Sequence, residues 1–164
     1  MRVFVVSGYS GTGKTSLIEA IIKSLVKCGH SVATLKSSIH TARPDKGTDT
    51  WKHREAGASM TIFLGLDARD TNLKDWIGPE ELEKLSKHDF LIIEGMKSIN
   101  IPRFWCIGDR DIVKDDVPVN TRAIVSWTKR EIDVVDGVQI ISIDCIDELV
   151  DIVKTSAMNF SDIE

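Results

Sequence analysis

The chain has 164 residues, 42% of them hydrophobic, a length that suits one domain with a substantial buried core. Its 21 basic and 25 acidic side chains give a net charge of −4, which provides no broad basic surface for nucleic acid or for an anionic membrane. The three cysteines form no C-x-x-C pair, so neither a disulfide framework nor a zinc site is indicated.

The first apolar run, residues 3–6, predicts a buried strand and is too short for a signal peptide or a membrane span, so we expect a cytoplasmic protein. Directly after it, residues 8–16 (Gly-Tyr-Ser-Gly-Thr-Gly-Lys-Thr-Ser) match the phosphate-binding loop pattern G-x-x-x-x-G-K-[ST] at every fixed position. Apolar residues then recur between residues 17 and 26 with the spacing of one helix face. Strand, loop and helix thus follow the order that such a loop requires; the alternative is an ordinary glycine turn.

Each part of this loop has a chemical role in holding a nucleoside triphosphate. Glycines let backbone N–H groups converge on phosphate oxygens, the Lys14 ammonium reaches the outer phosphates, and the Thr15 hydroxyl takes one position on Mg²⁺. The N-terminal end of the following helix adds positive potential. The residues expected to bind the nucleotide here are Gly8, Ser10, Gly11, Thr12, Gly13, Lys14, Thr15 and Ser16.

The rest of the chain alternates predicted strands with predicted helices. Strands are predicted over residues 31–35, 60–64, 90–93, 103–107, 123–127 and 138–143, and helices over 51–58, 79–87 and a last segment with an apolar face at 146–153. Such alternation indicates a parallel sheet covered on both faces. We therefore predict one domain over residues 1–164 with an α/β, three-layer P-loop NTPase-like fold, in which helices cover both faces of a mostly parallel central sheet.

Acidic side chains after two of these strands are candidate Mg²⁺ ligands. Glu94 ends the apolar run 90–93, and the carboxyl ends of parallel strands are where such sheets bind their ligands; the alternative is a solvated acid. Residues 36–50 are polar and contain Pro and Gly, which predicts a long loop, and Asp45 and Asp49 within it are placed to bind the metal through water. We assign the metal site to Thr15 and these three carboxylates. Residues 51–54 (Trp-Lys-His-Arg) add an aromatic ring and cations beside it, unless they form a solvated charged helix.

The segment that follows the strand at residues 123–127 is similar to a base-binding loop. Many GTP-binding proteins read guanine with an Asn/Thr-Lys-x-Asp sequence, and residues 128–131 here are Thr-Lys-Arg-Glu. In this interpretation Lys129 lies along the purine and Glu131 accepts hydrogen bonds from its N1 and N2 groups. The alternative is a polar loop that does not touch the nucleotide.

The phosphate loop, residues 94–97 (Glu-Gly-Met-Lys) and residues 45–58 occur in an order and spacing that resemble one family, the molybdopterin-guanine dinucleotide biosynthesis adapter proteins, MobB. The resemblance covers nearly the whole chain, and residues 45–58 are its most diagnostic part. It implies a dimeric protein that binds GTP with Mg²⁺, has at most weak GTPase activity, and assists a molybdopterin guanylyltransferase in joining GMP to molybdopterin. Where the family often has paired histidines and an aspartate, residues 38–42 are Ser-Ile-His-Thr-Ala, so only His40 is carried over.

Two other functions are compatible with a phosphate-binding loop. A small-molecule kinase needs arginines clustered on a lid over the transferred phosphoryl group, and the arginines of this chain are scattered. A GTPase that delivers nickel needs a Cys or His pair at metal-ligand spacing, and the four histidines are isolated in the sequence. The sequence therefore favours a GTP-binding adapter over both alternatives.

Overall fold

The computed structural model describes residues 1–37, 46–64, 73, 77–131 and 134–163. Strands and helices alternate along most of this part of the chain. Within these residues, the strands are β1 (Arg2–Gly8), β2 (Val32–Ser37), β3 (Met60–Leu64), β4 (Phe90–Glu94), β5 (Arg103–Gly108), β6 (Thr121–Ser126), β7 (Val134–Val135), β8 (Val138–Ser142) and β9 (Met158–Asn159). The helices are α1 (Lys14–Lys27), α2 (Asp49–Glu55), α3 (Pro79–Leu85) and α4 (Ile146–Ser156). In the same ranges, no helix has the length and apolar composition needed to cross a bilayer.

The strands form one sheet in the order β3-β2-β4-β1-β5-β6-β8-β7, with β1 near its centre. These neighbours are parallel except for the β7–β8 hairpin, and β9 adds an antiparallel pairing to the first residues of β1. In this register Glu94 of β4 lies beside Val6 of β1 on one side and Lys36 of β2 on the other. The carboxyl ends of these three strands therefore meet at one edge of the sheet, next to the loop that follows β1.

Helices cover both faces of this sheet, as predicted. Alternate residues of β1 point to opposite faces, so Phe4 and Val6 pack in the cluster that includes α1 and α4, while Val3 and Val5 pack in the cluster that includes Leu85 of α3. A third, smaller cluster around Trp105 lies under loops and the β7–β8 hairpin. The predicted α/β class with a mostly parallel, two-sided sheet is confirmed, and the buried apolar stripe of α1 packs in one cluster with the sheet and with α4.

The predicted loop over residues 36–50 is wrong at both ends. β2 continues through Lys36 and Ser37, because both residues pair with β3 and Lys36 also pairs with β4. At the other end α2 begins at Asp49, with the Thr48 hydroxyl accepting a hydrogen bond from the Trp51 backbone N–H as its cap. The end of β2 and the start of α2 consist of polar residues, so apolar periodicity does not indicate either of them. Residues 38–45, and with them Asp45 and His40, lie outside the described residues.

Candidate functional site

The loop between β1 and α1 has the backbone conformation that its sequence predicts. Gly8, Gly11 and Gly13 have φ values of 145°, 72° and 83°, which L side chains rarely adopt. Gly13 is the N-cap of α1, whose first turn contains no acidic side chain. The positive end of a 14-residue helix, together with its unpaired N–H groups, therefore faces the loop without an internal counter-charge.

A pocket of about 400 Å³ opens at this loop and unites most of the predicted site. It also contains Lys52, one of the cations predicted to lie beside the metal ligands, and Lys36 and Trp127, which were not predicted there. Trp127 follows β6 and stands over the phosphate loop, since a Cβ atom added to Gly13 would lie 3.0 Å from the indole Nε1. The predicted binding residues that line the pocket are Ser10, Gly11, Thr12, Gly13, Lys14, Thr15, Ser16, Asp49 and Glu94.

Three of the predicted metal ligands lie close together in this pocket. The Thr15 Oγ1 atom lies 3.1 Å from Asp49 Oδ1 and 3.1 Å from Glu94 Oε1. A hydroxyl and two carboxylates are hard oxygen donors, which is the chemistry that Mg²⁺ prefers when it keeps several waters and takes its other ligands from a nucleotide. The arrangement therefore suits Mg²⁺. The fourth predicted ligand, Asp45, lies outside the described residues.

Lys36, a residue of β2, contacts the same two carboxylates. Its Nζ atom lies 2.9 Å from Asp49 Oδ2 and also contacts Glu94 Oε1, and its side chain is only 15% exposed. Burial would lower the pKa of Lys36, but the neighbouring carboxylates of Glu94 and Asp49 outweigh burial and raise it. The ammonium is therefore charged and compensates part of the negative charge of these two carboxylates.

His53 contacts Glu94 from α2 and is fully buried, so the alternative of a fully solvated α2 is wrong for this residue. Its Nε2 atom lies 3.3 Å from Glu94 Oε2, within the distance of an ion pair. Asp49 and His53 are four residues apart on α2 and so share one face, which is directed at the end of β4. The spacing places both side chains on one helix face, but only the docking of α2 at the end of β4 brings His53 to Glu94.

Glu94 is held in its ionised form by these neighbours. Burial raises its pKa, but His53 and Lys36 lower it by a larger amount, to about 2. Only 2% of the Glu94 side chain is exposed. At neutral pH this carboxylate is therefore a fixed negative charge, suited to cation binding and poorly suited to accepting a proton from water.

This shift predicts how stability depends on pH. Because the pKa of Glu94 is about 2 in the folded protein and 4.5 as its ordinary value, its ionisation stabilises the fold above pH 4.5, and that stabilisation is lost as the pH falls towards 2. We expect the urea-unfolding free energy to drop by about 2 kcal/mol between about pH 6 and about pH 3 through this group alone. Glu94→Gln should lack this part of the drop. An equal drop in wild type and variant would contradict it.

The loop predicted to read the base, residues 128–131, lies partly away from the pocket at the phosphate loop, which we call the phosphate pocket. Lys129 and Glu131 are both exposed. Glu131 lines a second pocket of about 490 Å³ together with Arg130 and Lys114, and neither Lys129 nor Glu131 lines the phosphate pocket. Base recognition by Lys129 and Glu131 stays a prediction. Trp127, directly before this loop, is the residue that reaches the phosphate pocket.

Comparison with known proteins identifies one family. The model of the family MobB, molybdopterin guanine dinucleotide synthesis protein B, matches residues 3–127. A putative molybdopterin-guanine dinucleotide biosynthesis adapter protein of Methanocaldococcus jannaschii is 39% identical over 119 residues, which cover 68% of this chain and 49% of that protein. The corresponding adapter protein of Haemophilus influenzae is 35% identical over 105 residues, 60% of this chain and 58% of that protein. The chain thus spans about half the length of these curated relatives.

Solved structures show the same fold. The crystal structure of Bacillus subtilis MobB has a TM-score of 0.64 and 26% identity, with 97% of this chain and 99% of that chain covered. HypB from Helicobacter pylori, solved in complex with nickel, also has a TM-score of 0.64 but only 17% identity, with 98% and 90% covered, so it supports the P-loop NTPase-like fold alone. Because the family model matches well over half of the chain, residues 3–127, the chain belongs to the MobB family.

Proposed function

We propose that this protein is a GTP-binding adapter in the biosynthesis of molybdopterin guanine dinucleotide. In this proposal it binds Mg²⁺ and GTP at the phosphate loop and assists a molybdopterin guanylyltransferase, which attaches GMP to molybdopterin. The observation that carries the proposal is the convergence of Lys14, Thr15, Asp49 and Glu94 on one pocket at the positive end of α1. The names of its relatives support the pathway, since they are described as molybdopterin-guanine dinucleotide biosynthesis adapter proteins.

The chain's own groups fit a bound triphosphate. Lys14 donates a hydrogen bond to the Tyr9 carbonyl across the loop, and burial lowers its pKa, so an anion in the pocket would restore favourable surroundings to the ammonium. Backbone N–H groups at the start of α1 would bind the phosphate oxygens beside it. Mg²⁺, when bound, would neutralise charge on the outer phosphates, with Thr15, Asp49 and Glu94 holding the ion or its waters.

Hydrolysis by this site is proposed to be weak. Among the described residues, the two acids of the pocket are Asp49 and Glu94, and both are engaged by the Lys36 ammonium. A general base must be free to accept a proton near the operating pH, whereas the pKa of Glu94 lies at about 2. This arrangement supports a protein that holds and presents a nucleotide.

The remaining parts of the proposal follow the family resemblance. Lys129 and Glu131 are proposed to contact guanine, because the loop that contains them directly follows Trp127, which lines the phosphate pocket. From the same resemblance, we propose that the protein is a homodimer and that it works in the cytoplasm. No observation on the described residues favours a kinase or a nickel carrier. Apart from the proposed Mg²⁺ site, which uses a hydroxyl and two carboxylates, that part of the chain has no group of three His, Cys, Asp or Glu side chains that could hold a metal ion such as nickel.

Calorimetric titration with nucleotides and co-purification with the guanylyltransferase test this function. We expect Mg-GTP to bind at least about tenfold more tightly than Mg-ATP, a difference of about 1.4 kcal/mol, and the guanylyltransferase to be retained on immobilised protein. Glu131→Gln should reduce the preference for GTP while leaving binding of Mg-ATP unchanged, because the substitution affects only the group that reads the base. Equal affinity for both nucleotides without retention of the enzyme would contradict the proposal.

A further inference from the structure

Lys36 occupies the space between the two acids of the metal site. Its ammonium pairs with Asp49 Oδ2 at 2.9 Å and contacts Glu94 Oε1, the oxygen that also lies 3.1 Å from the Thr15 hydroxyl. A cation that belongs to the chain thus already contacts Glu94 Oε1, one of the oxygens suited to holding Mg²⁺, and the second oxygen of Asp49. Register explains this position, because Lys36 and Glu94 are directly paired residues of β2 and β4.

We propose that Lys36 is an internal counter-cation that holds the place of Mg²⁺ between Asp49 and Glu94, and that it leaves only when the metal arrives together with a nucleoside triphosphate. The proposal rests on the proposed nucleotide binding and adds how that binding is regulated. It makes Lys36 a residue through which metal and triphosphate bind cooperatively.

Competition for shared oxygens is the first reason. An ammonium and Mg²⁺ cannot both contact the same face of Glu94 Oε1, so the metal alone must separate Lys36 from two carboxylates in a partly buried site. The other oxygen of Glu94 lies 3.3 Å from His53 Nε2, so a turn of the carboxylate away from Lys36 would disturb that contact. Metal without nucleotide is therefore expected to bind weakly.

The triphosphate supplies the second reason. A displaced buried ammonium needs a new anionic partner, and the outer phosphates would lie within the same pocket that Lys36 lines. Lysine has a flexible four-carbon stem and rotatable donors, so it can exchange a carboxylate for a phosphate without backbone movement. Each ligand then lowers the cost of binding the other, which is the thermodynamic meaning of coupling between sites.

The test is Mn²⁺ binding to nucleotide-free protein, followed by the electron paramagnetic resonance signal of the free ion. Lys36→Met should raise the affinity for Mn²⁺ by about tenfold or more, since the competing cation is gone. The enhancement of metal binding by a non-hydrolysable GTP analogue should shrink by a similar factor, because the two changes belong to one thermodynamic cycle. Lys36→Gln, which retains a polar side chain, should give the same result and serves if the methionine variant does not fold.

Lys52→Met is the matched control. Lys52 lines the same pocket, but among the described residues it forms no ion pair with Asp49 or Glu94. Its removal should therefore raise Mn²⁺ affinity much less than removal of Lys36. Unchanged or weaker Mn²⁺ binding in both Lys36 variants, or an equal gain in Lys52→Met, would overturn the competition. If the wild-type protein binds no GTP, the proposed function and displacement by a triphosphate both fail, whereas the metal titration still decides whether Lys36 competes with the ion.

Discussion

Lys14→Ala should lower the affinity for Mg-GTP by about 1000-fold while the protein stays folded. Lys14 lines the phosphate pocket, where its ammonium would replace the Tyr9 carbonyl with phosphate oxygens as partners. Hydrogen bonds to charged groups contribute about 1.5–3 kcal/mol each, so losing two of them corresponds to a loss between about 140-fold and about 20,000-fold. Isothermal titration calorimetry of wild type and variant with Mg-GTP measures the difference directly.

The matched control for this prediction is Lys23→Ala, because Lys23 is an exposed lysine on the same helix, α1. It removes the same charge and should leave both affinity and stability within about 0.5 kcal/mol of wild type. Circular dichroism of both variants checks that α1 and the sheet are retained. Binding of Mg-GTP by Lys14→Ala with wild-type affinity would remove the basis for the entire nucleotide site.

The phosphate loop was predictable because its requirements are local. Gly11 and Gly13 must adopt positive φ, Lys14 must start a helix, and an apolar strand must precede the loop, all within about fifteen residues of sequence. The strands were predictable for a similar reason, since β4 is buried at every position and contains almost no polar interruption. Because these requirements lie within a short stretch of sequence, the predicted loop and strands depend little on tertiary contacts.

The electrostatic centre of the site was not predictable, because it depends on the register between strands that are distant in sequence. Lys36 and Glu94 are 58 residues apart, and only the pairing of β2 with β4 brings them together. Likewise, His53 is isolated in the sequence and becomes a buried neighbour of Glu94 only after α2 docks at the end of β4. Which side chains lie beside Glu94 is determined by the pairing of the strands and the docking of α2. Neither can be read from the sequence alone.

The β7–β8 hairpin differs from these cases, because the sequence contains a local signal for its turn. Asp136 and Gly137 separate two short β-branched segments and have φ values of 50° and 81°. Asp-Gly is a preferred pair for the two-residue turn whose twist matches antiparallel strands. β7 has only two residues, too few for an apolar run of strand length to indicate it.

Gly8 is where the phosphate loop depends most on the absence of a side chain. It ends β1 beside Cys106 of β5, and its φ value is 145°. A Cβ atom at this position would lie 2.1 Å from the Cys106 carbonyl oxygen, far inside van der Waals contact, and backbone atoms cannot move away as the end of a flexible side chain can. The substitution must therefore separate β1 from β5 at the edge of the sheet that positions the loop.

We expect Gly8→Ala to lower the free energy of unfolding in urea by about 4 kcal/mol or more, which combines backbone strain with the broken β1–β5 contact. Gly11→Ala is the matched control: Gly11 also has positive φ, 72°, but a Cβ atom there would meet no atom within 4 Å. Its cost should be limited to left-handed backbone strain, about 1–2 kcal/mol. Equal losses in the two variants would show that strain alone governs the loop and that the close approach to Cys106 relaxes freely, since only the clash distinguishes the two glycines.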